Sequence, residues 1–191
     1  MTAEETQELG REGVAIIKRW LEATTFIELP FDAYHHKLDC TLPHLSGKKI
    51  FDLQGHFLTG RKEPVIVESK RYTTPGGQYK EFLHFLAIAY SSTISEKERL
   101  GGYRKRHFIW VTFHPFNLEN WTALETRDQM VKALENHPEY LKDRVIDEDL
   151  VRDVASRIMV LVFNPKQENL SLSRDELKMV RVHLDRKAES L

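Results

Sequence analysis

Apolar runs of strand length alternate along this chain with stretches of helical periodicity, and that alternation limits the fold more tightly than anything else in the sequence. Residues from about Thr6 to Ala23 place Leu9, Gly13, Ile16, Ile17, Trp20 and Leu21 on one stripe of an amphipathic helix. Strand-like segments follow at Phe26 to Tyr34, Ile50 to Leu58 and Val65 to Tyr72, the last opened by Pro64. Within Ile50 to Leu58, Phe51, Leu53 and Phe57 fall on one face and Asp52, Gln54 and His56 on the other. Pro75-Gly76-Gly77 breaks the chain before a largely apolar helix, roughly Gln78 to Ser92. Gly101-Gly102 precedes a strong strand, His107 to Phe113, stopped by Pro115. Helical spacing from Leu118 to Asn136, a short acidic helix near Asp147 to Val154 and a buried strand from Ile158 to Phe163 come next. Ser173 with Glu176 forms a capping-box signal for a last helix. The order predicts an α/β fold with one mixed central sheet.

The 191 residues suit a single domain, and 30% charged with 41% apolar residues is ordinary globular composition. A formal net charge of -1 neither demands nor excludes a polyanionic partner, because only contacted phosphates need neutralising. The single Cys40 allows no internal disulfide. The acidic first residues lack a signal peptide's basic and apolar regions, and no apolar run is long enough to span a bilayer. The expectation is a cytoplasmic protein with no membrane association.

The chemistry concentrates around residue 60. Asp52 interrupts an apolar stretch, and Glu68-Ser69-Lys70 follows after a hairpin-length gap. Strand alternation projects Glu68 and Lys70 to one face, and a hairpin through Thr59-Gly60-Arg61-Lys62 brings Asp52 across from them. Two neighbouring carboxylates repel unless a cation lies between them, and a hard divalent ion with oxygen ligands answers that need. Lys70 beside such an ion would orient or help deprotonate a water, or stabilise charge on a phosphate. A Glu-x-Lys tripeptide by itself is most often a solvated cross-strand pair, so the surrounding apolar strands carry the weight.

Phe51-Asp52 followed by Val65-Ile66-Val67-Glu68-Ser69-Lys70 resembles the core motif of the PD-(D/E)xK nuclease superfamily, the restriction endonuclease-like proteins. The resemblance covers about Glu12 to Phe113 in element order, with Phe51 where the family has proline. It implies a mixed central sheet flanked by helices, forming one nuclease domain. The core would span about residues 6–113, followed by a helix–strand–helix extension. It further implies a magnesium-dependent nuclease, with manganese as a substitute ion, acting on nucleic acid and first of all DNA. Asp52 and Glu68 would be metal ligands, joined by the backbone carbonyl of Ser69 and by Glu12 from the first helix. Lys70 would position the attacking water, and Gln78 would orient water or the scissile phosphate. RecB-like members carry a tyrosine four residues after that glutamine, where this chain has Phe82 beside a nearby Tyr79. Many superfamily nucleases are homodimers, and restriction, defence and repair are the roles the resemblance suggests. The alternative is a catalytically inactive nucleic-acid-binding or interaction protein of the same fold.

Basic residues support a polyanionic partner: Lys48-Lys49, Arg61-Lys62, Lys70-Arg71, Lys80 and Arg104-Lys105-Arg106 surround the proposed site in sequence. His35, His36, Cys40 and His44 are irregularly spaced for zinc and read better as a surface near the site. No phosphate-binding glycine loop or nucleophile elbow is present.

Overall fold

Val65, Ile66 and Val67 are all fully buried, and so are Phe108 to Val111 to within 1%. Runs apolar on both faces stay in place only in the middle of a sheet covered on each side. A computed structural model describes residues 3–58, 60–72 and 76–184. In chain order it contains α1 (Ala3–Thr24), β1 (Ile27–Asp32), β2 (Thr41–His44), β3 (Gly47–Ile50), β4 (Leu53–Phe57) and β5 (Pro64–Lys70). Then come α2 (Gln78–Leu100), β6 (His107–Thr112), α3 (Arg127–Asn136), α4 (Glu148–Ala155), β7 (Ile158–Val162) and α5 (Arg174–Leu184). Five strands form one sheet in the order β1-β4-β5-β6-β7. The β1–β4 and β4–β5 pairs are antiparallel, and the β5–β6 and β6–β7 pairs are parallel. The fold is α/β, with a mixed central sheet flanked by helices.

Each face of the sheet has its own core. Ile66, Phe108 and Trp110 pack with Phe82, Phe85 and Leu86 of α2, and α3 and α4 add Met130, Leu134, Val151 and Val154 behind it. Val65, Val67, Ile109 and Val111 face the other way, against Val14, Ile17 and Leu21 of α1. Strand alternation thus sorts β5 residue by residue between two helical layers. No described helix is long and apolar enough to cross a membrane.

Several elements depart from their sequence expectation for identifiable reasons. The segment Ile50 to Leu58 is broken at Phe51-Asp52, so Phe51 joins the α2 core and Leu53 the α1 core instead of sharing a face. The polar-looking stretch before it folds as a β2–β3 hairpin, a separate two-stranded sheet inserted between β1 and β4. The helix from Gln78 continues past Ser92 to Leu100. Ser92 and Thr93 do not end it, because both hydroxyls donate to the Ala89 carbonyl at 3.0 and 2.9 Å. Leu118 to Asn136 is not one helix: a 3-10 segment, Leu118–Ala123, precedes α3, which Thr126 caps by accepting from the Gln129 amide. The capping box at α5 forms as read, Ser173 N–H donating to Glu176 at 2.8 Å. Thr59 and Pro75, part of the expected hairpin turn and helix breaker, lie outside the described residues.

Gly55 in β4 is set by a close approach. Between Glu28 and Phe31 the β1–β4 register shifts by a bulge, and a Cβ on Gly55 would stand 1.8 Å from the Glu28 carbonyl oxygen.

Candidate active site

β5 lies where the sheet changes from antiparallel to parallel, and its carboxyl end is the position at which open α/β sheets tend to place their sites. The β4–β5 register pairs Leu53 with Val67, so Asp52, one residue earlier, comes opposite Glu68. Asp52 Oδ2 accepts the Ser69 amide at 2.7 Å, which ties the carboxyl to the strand beside it. Glu68 and Lys70 alternate onto the α2 face. Lys70 Nζ stands 3.0 Å from Glu68 Oε1 and 5.5 Å from the centre of the Trp110 ring. The structure therefore brings Asp52, Glu68 and Lys70 together at one end of the sheet.

The electrostatics of this group are lopsided. Glu68 is 5% exposed. Its Oε1 takes two ammoniums, Lys49 and Lys70, each at 3.0 Å. Its Oε2 is buried and has no hydrogen-bond partner among the described residues. Burial, with the nearby Glu68 charge, pushes the Asp52 carboxyl up to about 7, against the partial relief of the Ser69 amide and the two lysines. Burial opposes the charge of Lys70, yet Glu68 and Glu81 outweigh it and hold the ammonium above the usual lysine range. Lys70 is a stable cation here, able to donate hydrogen bonds and unsuited to accept a proton.

Three neighbours were not singled out from the sequence as site residues. Lys49 arrives on β3, in the hairpin whose presence the sequence did not betray. Glu81, in the first turn of α2, stands 3.2 Å from Lys70 Nζ. Tyr72 donates its hydroxyl to the other oxygen of Glu81 at 2.5 Å. Tyr72 had a signal, since it continues the two-residue alternation of Glu68 and Lys70 past the strand end. Glu81 had a weaker one, lying one helical turn after Gln78.

Glu12 and Gln78 are engaged elsewhere. Arg71, next to Lys70 but on the α1 face, holds Glu12 at 2.8 Å and stacks over Phe113 at 5.6 Å. Gln78 is fully buried, accepting from Thr112 Oγ1 at 2.5 Å and donating to the His114 carbonyl at 3.4 Å, so its amide locks α2 onto the end of β6. Among the described residues no group of three or more His, Cys, Asp or Glu is arranged to hold a metal ion. Cys40 is buried, its thiol pushed up to about 12 by desolvation, while His35 bonds Asp32 at 2.8 Å and His44 packs on Tyr140.

The basic residues do not share one surface as their order along the chain suggested. Arg61 and Lys62 lie at the turn end of the β4–β5 hairpin, and Arg104 to Arg106 precede β6, whose His107 pairs with Val65 at the start of β5. Both groups sit a strand length, about 20 Å, from Lys70. Arg104 and Arg106 are also committed to the buried Glu96, at 2.9 and 3.2 Å. Lys49 and Lys70 remain at the carboxylate end, joined by Arg71 just past the strand and by Lys80, exposed in the first turn of α2.

Fold and site together define an α/β protein with a charged carboxylate–lysine cluster at the carboxyl end of its central strand. No family model matches the sequence, and no curated protein matches it. Among solved structures it is similar to the Cap4 SAVED/CARF-domain containing receptor of Moraxella osloensis, with TM-score 0.37 and 13% identity over 91% of this chain and 40% of that one. The Acinetobacter baumannii Cap4 receptor with the cyclic trinucleotide 2'3'3'-cAAA gives TM-score 0.36 and 13% identity over 91% and 39%. The chain thus spans about two fifths of the length of these receptors.

Proposed function

We propose that this chain is a magnesium-dependent nuclease of the PD-(D/E)xK type, hydrolysing phosphodiester bonds in nucleic acid, DNA before RNA, in restriction, defence or repair. The observation that carries the reading is the placement of Asp52 opposite Glu68, one of whose oxygens is buried and unpartnered. A buried acceptor left without a donor costs about 1–3 kcal/mol, more when charged, and a second carboxyl close by adds repulsion. The donor set fits a hard divalent cation: two carboxylates, with the Ser69 carbonyl as a backbone oxygen on the same strand. Asp52 and Glu68 would hold it, with manganese as a substitute for magnesium. When bound, such an ion supplies positive charge to the phosphodiester and its attacking water.

The remaining chemistry belongs to the chain's own groups. Lys70 keeps its proton, so it orients the water and donates to the phosphate oxygen on which charge develops. Lys49, on the same Glu68 oxygen, supplies a second cation for the phosphate. With Asp52 ionised, three carboxylates and two ammoniums leave the cluster at a formal charge of about -1, which a bound divalent cation would reverse to receive a phosphodiester. Glu12 would join the ligands only by releasing Arg71, and Gln78 supports the site through β6.

The test is incubation of the pure protein with circular, linear and single-stranded DNA and with RNA, in magnesium or manganese, beside Lys70→Ala. Cleavage by the wild type that needs the ion and is lost in Lys70→Ala is the expected result. Binding without cleavage would favour the inactive nucleic-acid-binding alternative, and neither binding nor cleavage would end the proposal.

A further inference from the structure

We infer that Glu81 and Tyr72 form a positioning pair for Lys70, fixing its ammonium beside Glu68; its effect on catalysis rests on the nuclease reading above, its geometry does not. A lysine side chain has a flexible four-carbon stem and three equivalent donors, so one carboxylate does not fix where the ammonium points. Here it has three anchors: Glu68 Oε1 at 3.0 Å, Glu81 Oε2 at 3.2 Å and the Trp110 ring at 5.5 Å. Glu81 is itself 45% exposed and would move freely on the first turn of α2. The Tyr72 hydroxyl, 2.5 Å from Glu81 Oε1, removes that freedom. Because Tyr72 lies two residues beyond Lys70, the end of β5 and the start of α2 are closed into one ring of hydrogen bonds.

The arrangement matters most when Glu68 is shared. A cation on Glu68 weakens that carboxylate's hold on Lys70, and Glu81 is then the anion that keeps the ammonium in place. Glu81 also complements the partial positive charge of the α2 N-terminus, a purely structural role. Tyr72→Phe separates the two, since it leaves the helix charge untouched.

Two readouts on the folded full chain decide the matter. The first is the acylation rate of Lys70 with acetic anhydride, followed by mass spectrometry, with exposed Lys48 and Lys80 as internal references. The second is the kinetics of ion-dependent cleavage. Glu81→Gln and Tyr72→Phe are expected to acylate Lys70 severalfold faster with Lys48 and Lys80 unchanged. They should lower kcat about 10- to 100-fold, the range for residues that orient a catalytic group, and leave KM within about twofold. Unchanged Lys70 acylation and unchanged kcat in both variants would overturn the inference. Should the wild type cut no substrate, the nuclease reading fails, while the acylation rates still decide whether the pair holds Lys70.

Discussion

Asp52 carries a charge that its surroundings resist. Burial and Glu68 raise its carboxyl from the ordinary 3.8 to about 7, so the folded protein binds this proton more tightly than the unfolded chain does. The stabilisation is complete below about 4 and is lost as pH rises through about 7. In ion-free buffer, Asp52→Asn keeps an acceptor for the Ser69 amide and removes the charge. Its melting temperature, followed by scanning fluorimetry, should exceed that of the wild type at pH 8, by the equivalent of up to about 4 kcal/mol. The difference should vanish near pH 4. Lys49 belongs to the same scale: Lys49→Ala should lower the cleavage rate on the order of tenfold, less than the loss of a buried oxyanion donor, because Lys49 is partly solvated. Glu68 and Lys70 were legible in the sequence because a strand's two-residue period puts them on one face. Asp52 was legible because the hairpin length sets it opposite Glu68, although alternation itself breaks at Phe51-Asp52. Lys49 and Glu81 were not, since one depends on a hairpin packing back across the sheet and the other on the angle at which α2 leaves β5.

At the scale of elements, the inner strands β5 and β6, which bury both faces, were the most legible through their apolar runs Val65 to Val67 and Phe108 to Val111, and the half-buried edge strand β7 shows a similar run. The β2–β3 hairpin was not, because β3 reads Gly-Lys-Lys-Ile and offers no alternation. The far end of α2 was masked by Ser91-Ser92-Thr93, residues that favour caps until their hydroxyls bond back to the helix carbonyls, as Ser92 and Thr93 do here. Gly55 is the element-level point most open to test. Gly55→Ala places a methyl inside contact distance of the Glu28 carbonyl and must separate β1 from β4 or straighten the bulge. The expected loss is about 3 kcal/mol in urea denaturation, far more than alanine costs in an ordinary strand. Because Asp52 immediately precedes β4, the same substitution should also weaken cleavage.

Across the whole molecule, charge is separated by role. The Glu96, Arg104 and Arg106 group lies at one end of the sheet and is satisfied within the protein, Arg106 being only 3% exposed. The Asp52, Glu68, Glu81, Lys49 and Lys70 group lies at the other end and is left with one buried acceptor unmet. Among the described residues only the second pairs an unmet buried carboxylate oxygen with a neighbouring carboxyl; the unpartnered acceptor beside the first group is the neutral Gln54 amide oxygen. Magnesium at about tenfold over its dissociation constant should add about 1.4 kcal/mol to wild-type stability, or about 3–5 °C in Tm for a domain of this size. Asp52→Asn should show no such gain in a melting titration. The most direct measurement is the initial rate of phosphodiester cleavage against magnesium concentration, for wild type, Asp52→Asn and Lys70→Ala side by side. A saturating, ion-dependent rate in the wild type, abolished in both variants, is the expected result. Equal rates in all three proteins, or none in the wild type at any magnesium concentration, would contradict it.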